Sequence, residues 1–297
     1  MSPPVAPSFD HLLARWSLDP ALTATLALAA ALYALGVAHV RRRRSDAHGG
    51  WPAWRAASFA AGLVTLAVAL ESGVDRIGDR ELLSVHTAQH MLLALLAPAL
   101  LLYGAPVRLA LAAGSRRTRR LIAASLCSAP MRLLSRPSVG CALFAAVMLL
   151  GHLRAAFEPA LEDPTLHAVE HAAYFWSGAL LLAPLIAADP LPHPPGALAR
   201  FCCLMGAMSA MAVPGALMTF AERVSYPFYL APARALGRSA LADEHLAGAI
   251  MWVGGGIAMF ALALWAAFDA MRKEERRQRL RERYEHRAER WTTGVGA

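Results

Sequence analysis

Seven apolar stretches, each near the roughly 20 residues that an α-helix needs to cross about 30 Å of hydrocarbon, follow one another along this chain. They run approximately Ala21–Val40, Ala56–Leu70, Leu83–Val107, Ser138–Ala156, Leu166–Ala188, Leu198–Phe220 and Leu241–Phe268. With 57% of its 297 residues hydrophobic and 17% charged, the chain is too apolar for a soluble domain of that length. Inside a bilayer the backbone must satisfy its own hydrogen bonds, so such segments form helices. The expected fold is all-α, an integral membrane bundle of seven transmembrane helices occupying residues 1–271 as a single domain. Residues 272–297 form a charged tail that reads as a solvated helix.

Basic residues set the expected orientation. Arg41, Arg42, Arg43, Arg44 and Arg55 follow the first stretch, seven arginines between Arg108 and Arg136 follow the third, and the tail is dense in arginine. Segments of this kind face the cytoplasm. The intervening loops carry Glu71, Asp75, Asp79 and Glu81, or Glu158, Glu162 and Asp163, and are expected outside. The N-terminus is then outside and the C-terminus inside, in the cell (inner) membrane. The net charge of +8 is read as this topology signal, with anionic lipid as its partner and no nucleic acid. Asp10 and Asp19 stand where a signal peptide would carry basic residues, so no cleaved leader is expected. Between Arg108 and Arg136, leucines alternate with arginines as in an interfacial helix, and the DPLPHPPG turn around His193 falls on the inner side. Cys127, Cys141, Cys202 and Cys203 map to the inner half or inner loops and are expected reduced.

Six of the eleven histidines fall at helix ends on the outer side under this topology: His86 and His90 in HTAQH, His152 in GHLR, His167 and His171 in HAVEH, and His245 in DEHLAG. Within each HxxxH the two rings project from one helix face, one turn apart. Two such pairs on separate helices converge on one ion or on two. Imidazole suits copper, zinc, iron and nickel, and the spacing does not choose among them. Asp243, Glu170 and Glu244 are candidates as oxygen ligands or as acceptors that orient the rings. Met218 and Met91 are candidate thioether ligands, whereas most methionines here are packing residues. The aromatics of SYPFY (residues 225–229) read as an interfacial belt. No phosphate loop, serine nucleophile elbow or paired catalytic carboxylates occur.

At these residues the chain resembles the CtaG family of cytochrome c oxidase (caa-type) assembly factors. The resemblance is carried, in order, by HTAQHMLLALLAPALLLYGAP (residues 86–106), GHL and HAVEHAAYFWSGALLLAPLI (between 151 and 186), YPFY (226–229) and LADEHLAGAIMW (241–252). It implies a non-enzymatic protein that matures a haem–copper oxidase by handling copper at the outer, periplasmic face, taking it from a copper donor and passing it to an oxidase subunit. It carries His86, His90, His167, His171 and Asp243 onto matching positions, and His152 onto the histidine ending the fourth helix. The chain departs from the family pattern at His245, where a glutamine-like residue is expected, and at Arg154, where a proline is expected soon after His152. The expected metal residues are therefore His86, His90, His167, His171, Asp243, His245 and His152. The resemblance names copper; spacing and topology name only a metal-competent outer site. An oligomer is compatible with this reading. The alternative is a haem-binding membrane redox protein using the same histidines as axial ligands.

Overall fold

The computed structural model describes residues 16–43, 50–192 and 195–292, and the described residues are all-helical outside turns. Arg44, Asp10 and His193 lie outside them. In chain order the helices are α1 (Pro20–Arg43), α2 (Ala53–Glu71), α3 (Gly73–Arg80), α4 (Leu83–Met91), α5 (Ala97–Tyr103), α6 (Pro106–Ala113), α7 (Arg116–Leu126), α8 (Ala129–Leu134), α9 (Pro137–Gly151), α10 (Arg154–Glu162), α11 (Pro164–Ile186), α12 (Ala197–Thr219), α13 (Leu230–Ala235), α14 (Ala240–Ala249) and α15 (Gly255–Thr292). A π-helical turn over Leu92–Leu96 joins α4 to α5, and another over Ile250–Gly254 joins α14 to α15.

Among the described residues, six helices or helix series are long and apolar enough to cross a membrane: α1, α2, the series Leu83–Ala113, α11, α12 and Ala240–Leu264. The remaining expected span, the fourth in order (Ser138–Ala156), takes a different form. Its helix stops at Gly151, with His152 as the capping residue, and the chain bends by 76° into α10. Counting that bent pair gives seven. The α9 segment alone, 15 residues long, spans only about 22 Å at 1.5 Å per residue. The expected interfacial helix between Arg108 and Arg136 is broken into α6, α7 and α8; α7 and α8 are capped by Ser115 and Ser128 and bury no residue. The last helix runs without a break from the apolar segment through the charged tail to Thr292.

Polarity is distributed as expected of a bundle in lipid. Leu28, Leu32, Leu35, Val213, Leu217, Phe220, Ile257 and Phe260 are exposed, while His86, Gln89, His90, Glu71 and Glu244 are buried. Polar groups at membrane depth turn inward because hydrocarbon cannot solvate them. The main core packs α9 against α11 and α12, and α12 against α14. A smaller one joins α1, α2 and α6 around Tyr33, Val37, Phe59 and Leu109. There Tyr33 stacks on Phe59 at 3.9 Å and donates to the Gly104 carbonyl at 2.7 Å.

Two local devices position the helix that carries HAVEH. Asp163 caps α11, accepting from Thr165 N at 2.7 Å and Leu166 N at 3.1 Å, and Pro164 occupies the first turn, where its missing N–H costs nothing. The other device is a backbone crossing without side chains between. A Cβ on Gly178 of α11 would overlap the Ala94 carbonyl oxygen in the π-helical turn. Glycine there brings the two HxxxH helices together about two turns past His171 and one turn past His90.

Candidate metal centre

The histidines of HTAQH and HAVEH meet. Within α4 the His86 and His90 ring centroids are 4.2 Å apart, and within α11 those of His167 and His171 are 4.1 Å apart. Across the helices, His86 lies 5.6 Å from His167 and 6.4 Å from His171, and His90 lies 5.6 Å from His171. His86, His90 and His171 are buried. Phe157 of α10 abuts His86 edge-on at 5.1 Å, and Tyr174 stacks on His90 at 4.0 Å. The bend at His152–Leu153 is what brings Phe157 across this cluster.

Two carboxylates complete the arrangement. Asp79, His167 and His171 form one trio and His86, His90 and Glu170 another, the ligand atoms of each lying within 4.8 Å of one another. Each carboxylate therefore pairs with histidines of a different helix. Asp79 Oδ1 also lies 3.3 Å from His167 Nε2 and 3.5 Å from His86 Nδ1, between the two trios. Burial of Asp79 Oδ1, both nitrogens of His86 and of His90, His167 Nε2, Glu170 Oε2 and His171 Nε2 is accompanied by no hydrogen bond. Asp79 Oδ1, His86 Nδ1 and His167 Nε2 have only one another; the other five, each costing about 1–3 kcal/mol when unsatisfied, call for a ligand. A transition-metal ion is one partner that imidazole and carboxylate share. Neither trio includes a cysteine; all four cysteines are free.

Asp79 was legible in the sequence only as an outer-loop charge. Its place is fixed by packing. A Cβ on Gly78 would come within 2.9 Å of His86 Cα, so α3 lies directly on the start of α4, and Tyr229 Oη donates to the Gly78 carbonyl at 2.8 Å. Burial raises the Asp79 carboxyl to about 6, with His167 and Arg80 opposing. Neighbouring Asp75 is raised to about 7 by burial and by Asp79, and accepts from Gln89 Nε2 at 2.8 Å. An acidic signal one turn from an HxxxH motif in space, but seven residues before it in sequence, has no helical periodicity to reveal it.

The remaining expected residues are placed around this cluster and belong to neither trio. Asp243 accepts from Ser84 N at 3.2 Å and from Ser84 Oγ in a short contact, pinning the first turn of α4 to α14. His245 Nε2 donates to the Ala221 carbonyl at 2.8 Å. His152 Nδ1 lies 2.7 Å from the Met148 carbonyl, which fixes its tautomer with Nε2 unprotonated, and 3.3 Å from Tyr174 Oη. It thus borders His90 through Tyr174. Glu244 Oε2 accepts from Ser225 N at 2.9 Å. Met218 is buried in the main core, and Met91 packs against it. The SYPFY aromatics do not form an interfacial belt: Tyr226 and Tyr229 are buried, and Tyr226 Oη donates to the His152 carbonyl at 2.7 Å. The segment ties the α9–α10 bend and α3 to the bundle. From this geometry, Asp243→Ala should cost about 1–3 kcal/mol by stranding the Ser84 donors, lowering the thermal unfolding midpoint while folded chains still bind metal at saturating concentration.

The family described as cytochrome c oxidase caa3 assembly factor (Caa3_CtaG) matches residues 31–273. The chain belongs to this family. Its match runs from within α1 past the apolar part of α15 and takes in both trios. Curated relatives include uncharacterized proteins of Mycobacterium bovis and Mycobacterium tuberculosis, each 31% identical over 261 residues, and one of Mycobacterium leprae, 30% identical over 257 residues. Each alignment takes in 84% of this chain and 38% of the relative, so the CtaG-family chain spans well under half the length of these proteins. No solved structure matches the chain.

Proposed function

We propose that this CtaG-family protein is a non-enzymatic factor that binds copper at the His86, His90, His167 and His171 cluster and delivers it, as cargo from a copper donor, to a haem–copper oxidase subunit. The observation that carries the proposal is the convergence of four imidazoles from two helices, three of them buried and His167 half-buried, with no hydrogen bond on their facing nitrogens. Membership in an oxidase assembly family supports copper as the metal. Asp243 and His152 support the ligands from outside: Asp243 anchors the helix bearing His86 and His90, and His152 reaches the cluster through Tyr174. His245 supports the loop after α12.

The arginine pattern supports an orientation with the N-terminus outside, the charged tail inside and the cluster near the outer face. Reporter fusions after Gly50 and Glu162 test it: an inside signal at Gly50 and an outside signal at Glu162 are expected. Release requires an open approach. His167 and Asp79 keep 13% and 16% side-chain exposure, so the trio they share is the more accessible end of the cluster.

The packing speaks against the haem alternative. Neighbouring rings of the cluster lie 4.1 to 6.4 Å apart, and Phe157 and Tyr174 close two sides. A macrocycle placed between them would have to push the helices apart at the Gly178 crossing. Metal analysis and an optical spectrum of protein extracted from copper-replete membranes test the proposal together. Copper without a Soret band is expected; a Soret band that disappears on replacing His86 would overturn it.

A further inference from the structure

The number and kind of ions follow from how the ligands are partitioned. We infer that the cluster is a two-ion centre for divalent cations, in which Asp79, His167 and His171 hold one ion and His86, His90 and Glu170 hold the other. The inference rests on the metal-holding reading of the same cluster.

Three observations support it. First, the ligand atoms sort into two closed sets of three, each with two imidazoles and one carboxylate. Metal–nitrogen bonds of about 2.0–2.1 Å leave about 4 Å between ligand atoms on opposite sides of an ion, so a trio whose ligand atoms all lie within 4.8 Å of one another is of a size that one ion can fill. The two sets draw on different helix pairs, the α3 carboxylate with the α11 histidines and the α11 carboxylate with the α4 histidines. Second, the buried atoms without hydrogen bonds are shared between the sets: Asp79 Oδ1, His167 Nε2 and His171 Nε2 in one, and both nitrogens of His86 and His90 with Glu170 Oε2 in the other. A single ion in either trio leaves the opposite one unsatisfied. Third, Asp79 Oδ1 lies 3.5 Å from His86 Nδ1 of the other set as well as 3.3 Å from His167 Nε2, so the two sets are direct neighbours.

The donor set also selects the charge. Carboxylate oxygen and imidazole suit divalent first-row cations, Cu2+ and Zn2+ among them, whereas Cu(I) is selected by thiolate and thioether. Two-histidine, one-carboxylate sets leave positions open on each ion, as exchange with a partner requires.

Metal-stripped full-length protein in detergent, titrated with Cu2+ and separately with Zn2+, tests this by elemental stoichiometry, with electron paramagnetic resonance on the copper form. Two ions per chain are expected, with the Cu2+ signal integrating to well under two spins because the neighbouring ions couple. Asp79→Asn and Glu170→Gln, which keep side-chain shape, are each expected to hold one ion, with a full one-spin copper signal restored. Helical circular dichroism and size-exclusion profiles matching the unsubstituted chain qualify each variant as folded. One ion per unsubstituted chain, or two ions retained in folded Asp79→Asn and Glu170→Gln proteins, overturns the two-ion centre and leaves the copper-binding proposal standing. No ion of either metal overturns both.

Discussion

If the cluster binds copper as proposed, alanine at both His86 and His90 should remove most of the copper bound per folded chain. Loss of partners that merely orient a metal ligand costs about 10- to 100-fold in affinity, and here two ligands disappear from one face of α4. The measurement is copper per folded chain from membranes grown in excess copper. His245→Ala is the matched control, because its Nε2 is engaged by the Ala221 carbonyl 2.8 Å away and should lose no metal. Equal copper in the double variant and the unsubstituted protein would remove the central claim.

Gly178→Val is expected to disrupt the structure more than removal of any one histidine. A Cβ at that position overlaps the Ala94 carbonyl, and the carbonyl carbon and Cα lie close behind it. Because the obstruction is backbone, no rotamer change relieves it; the helices must separate. Overpacking against movable side chains costs about 1–3 kcal/mol, and this site should exceed that range. Thermal unfolding reads the loss of stability, and metal titration reads the loss of the site, since HTAQH and HAVEH are held together by this crossing. Gly256→Val is the control, with nothing within 4 Å of its added Cβ. If Gly178→Val unfolds and binds copper as the control does, the crossing does not organise the site.

Much of this molecule is readable from composition and periodicity. Hydrophobic runs separated by charged segments locate six spans within a few residues of their helices, because hydrocarbon admits only hydrogen-bonded helices of a minimum length. The four-residue spacing in HTAQH and HAVEH places each histidine pair on one face, since 3.6 residues per turn is a local property of the helix. The fourth span is the exception because hydropathy does not register a bend: Leu149, Leu150 and Leu153 are apolar on both sides of the cap at His152. The aromatics of residues 226–229 resemble an interfacial belt in sequence for a similar reason, because their hydrogen bonds go to carbonyls 74 and 151 residues away.

By itself the sequence determined an all-helical membrane protein, the two histidine pairs and, through its family motifs, a connection to oxidase assembly. Only the tertiary structure decided which residues share the metal-competent space. It admitted Asp79 and grouped Glu170 with the histidines of the opposite helix, while turning Asp243 to Ser84 and His245 to Ala221. The physical reason is range. Helix formation and HxxxH geometry are set within a few residues, whereas a carboxylate reaches a distant imidazole only because glycines at 78 and 178 let whole helices approach.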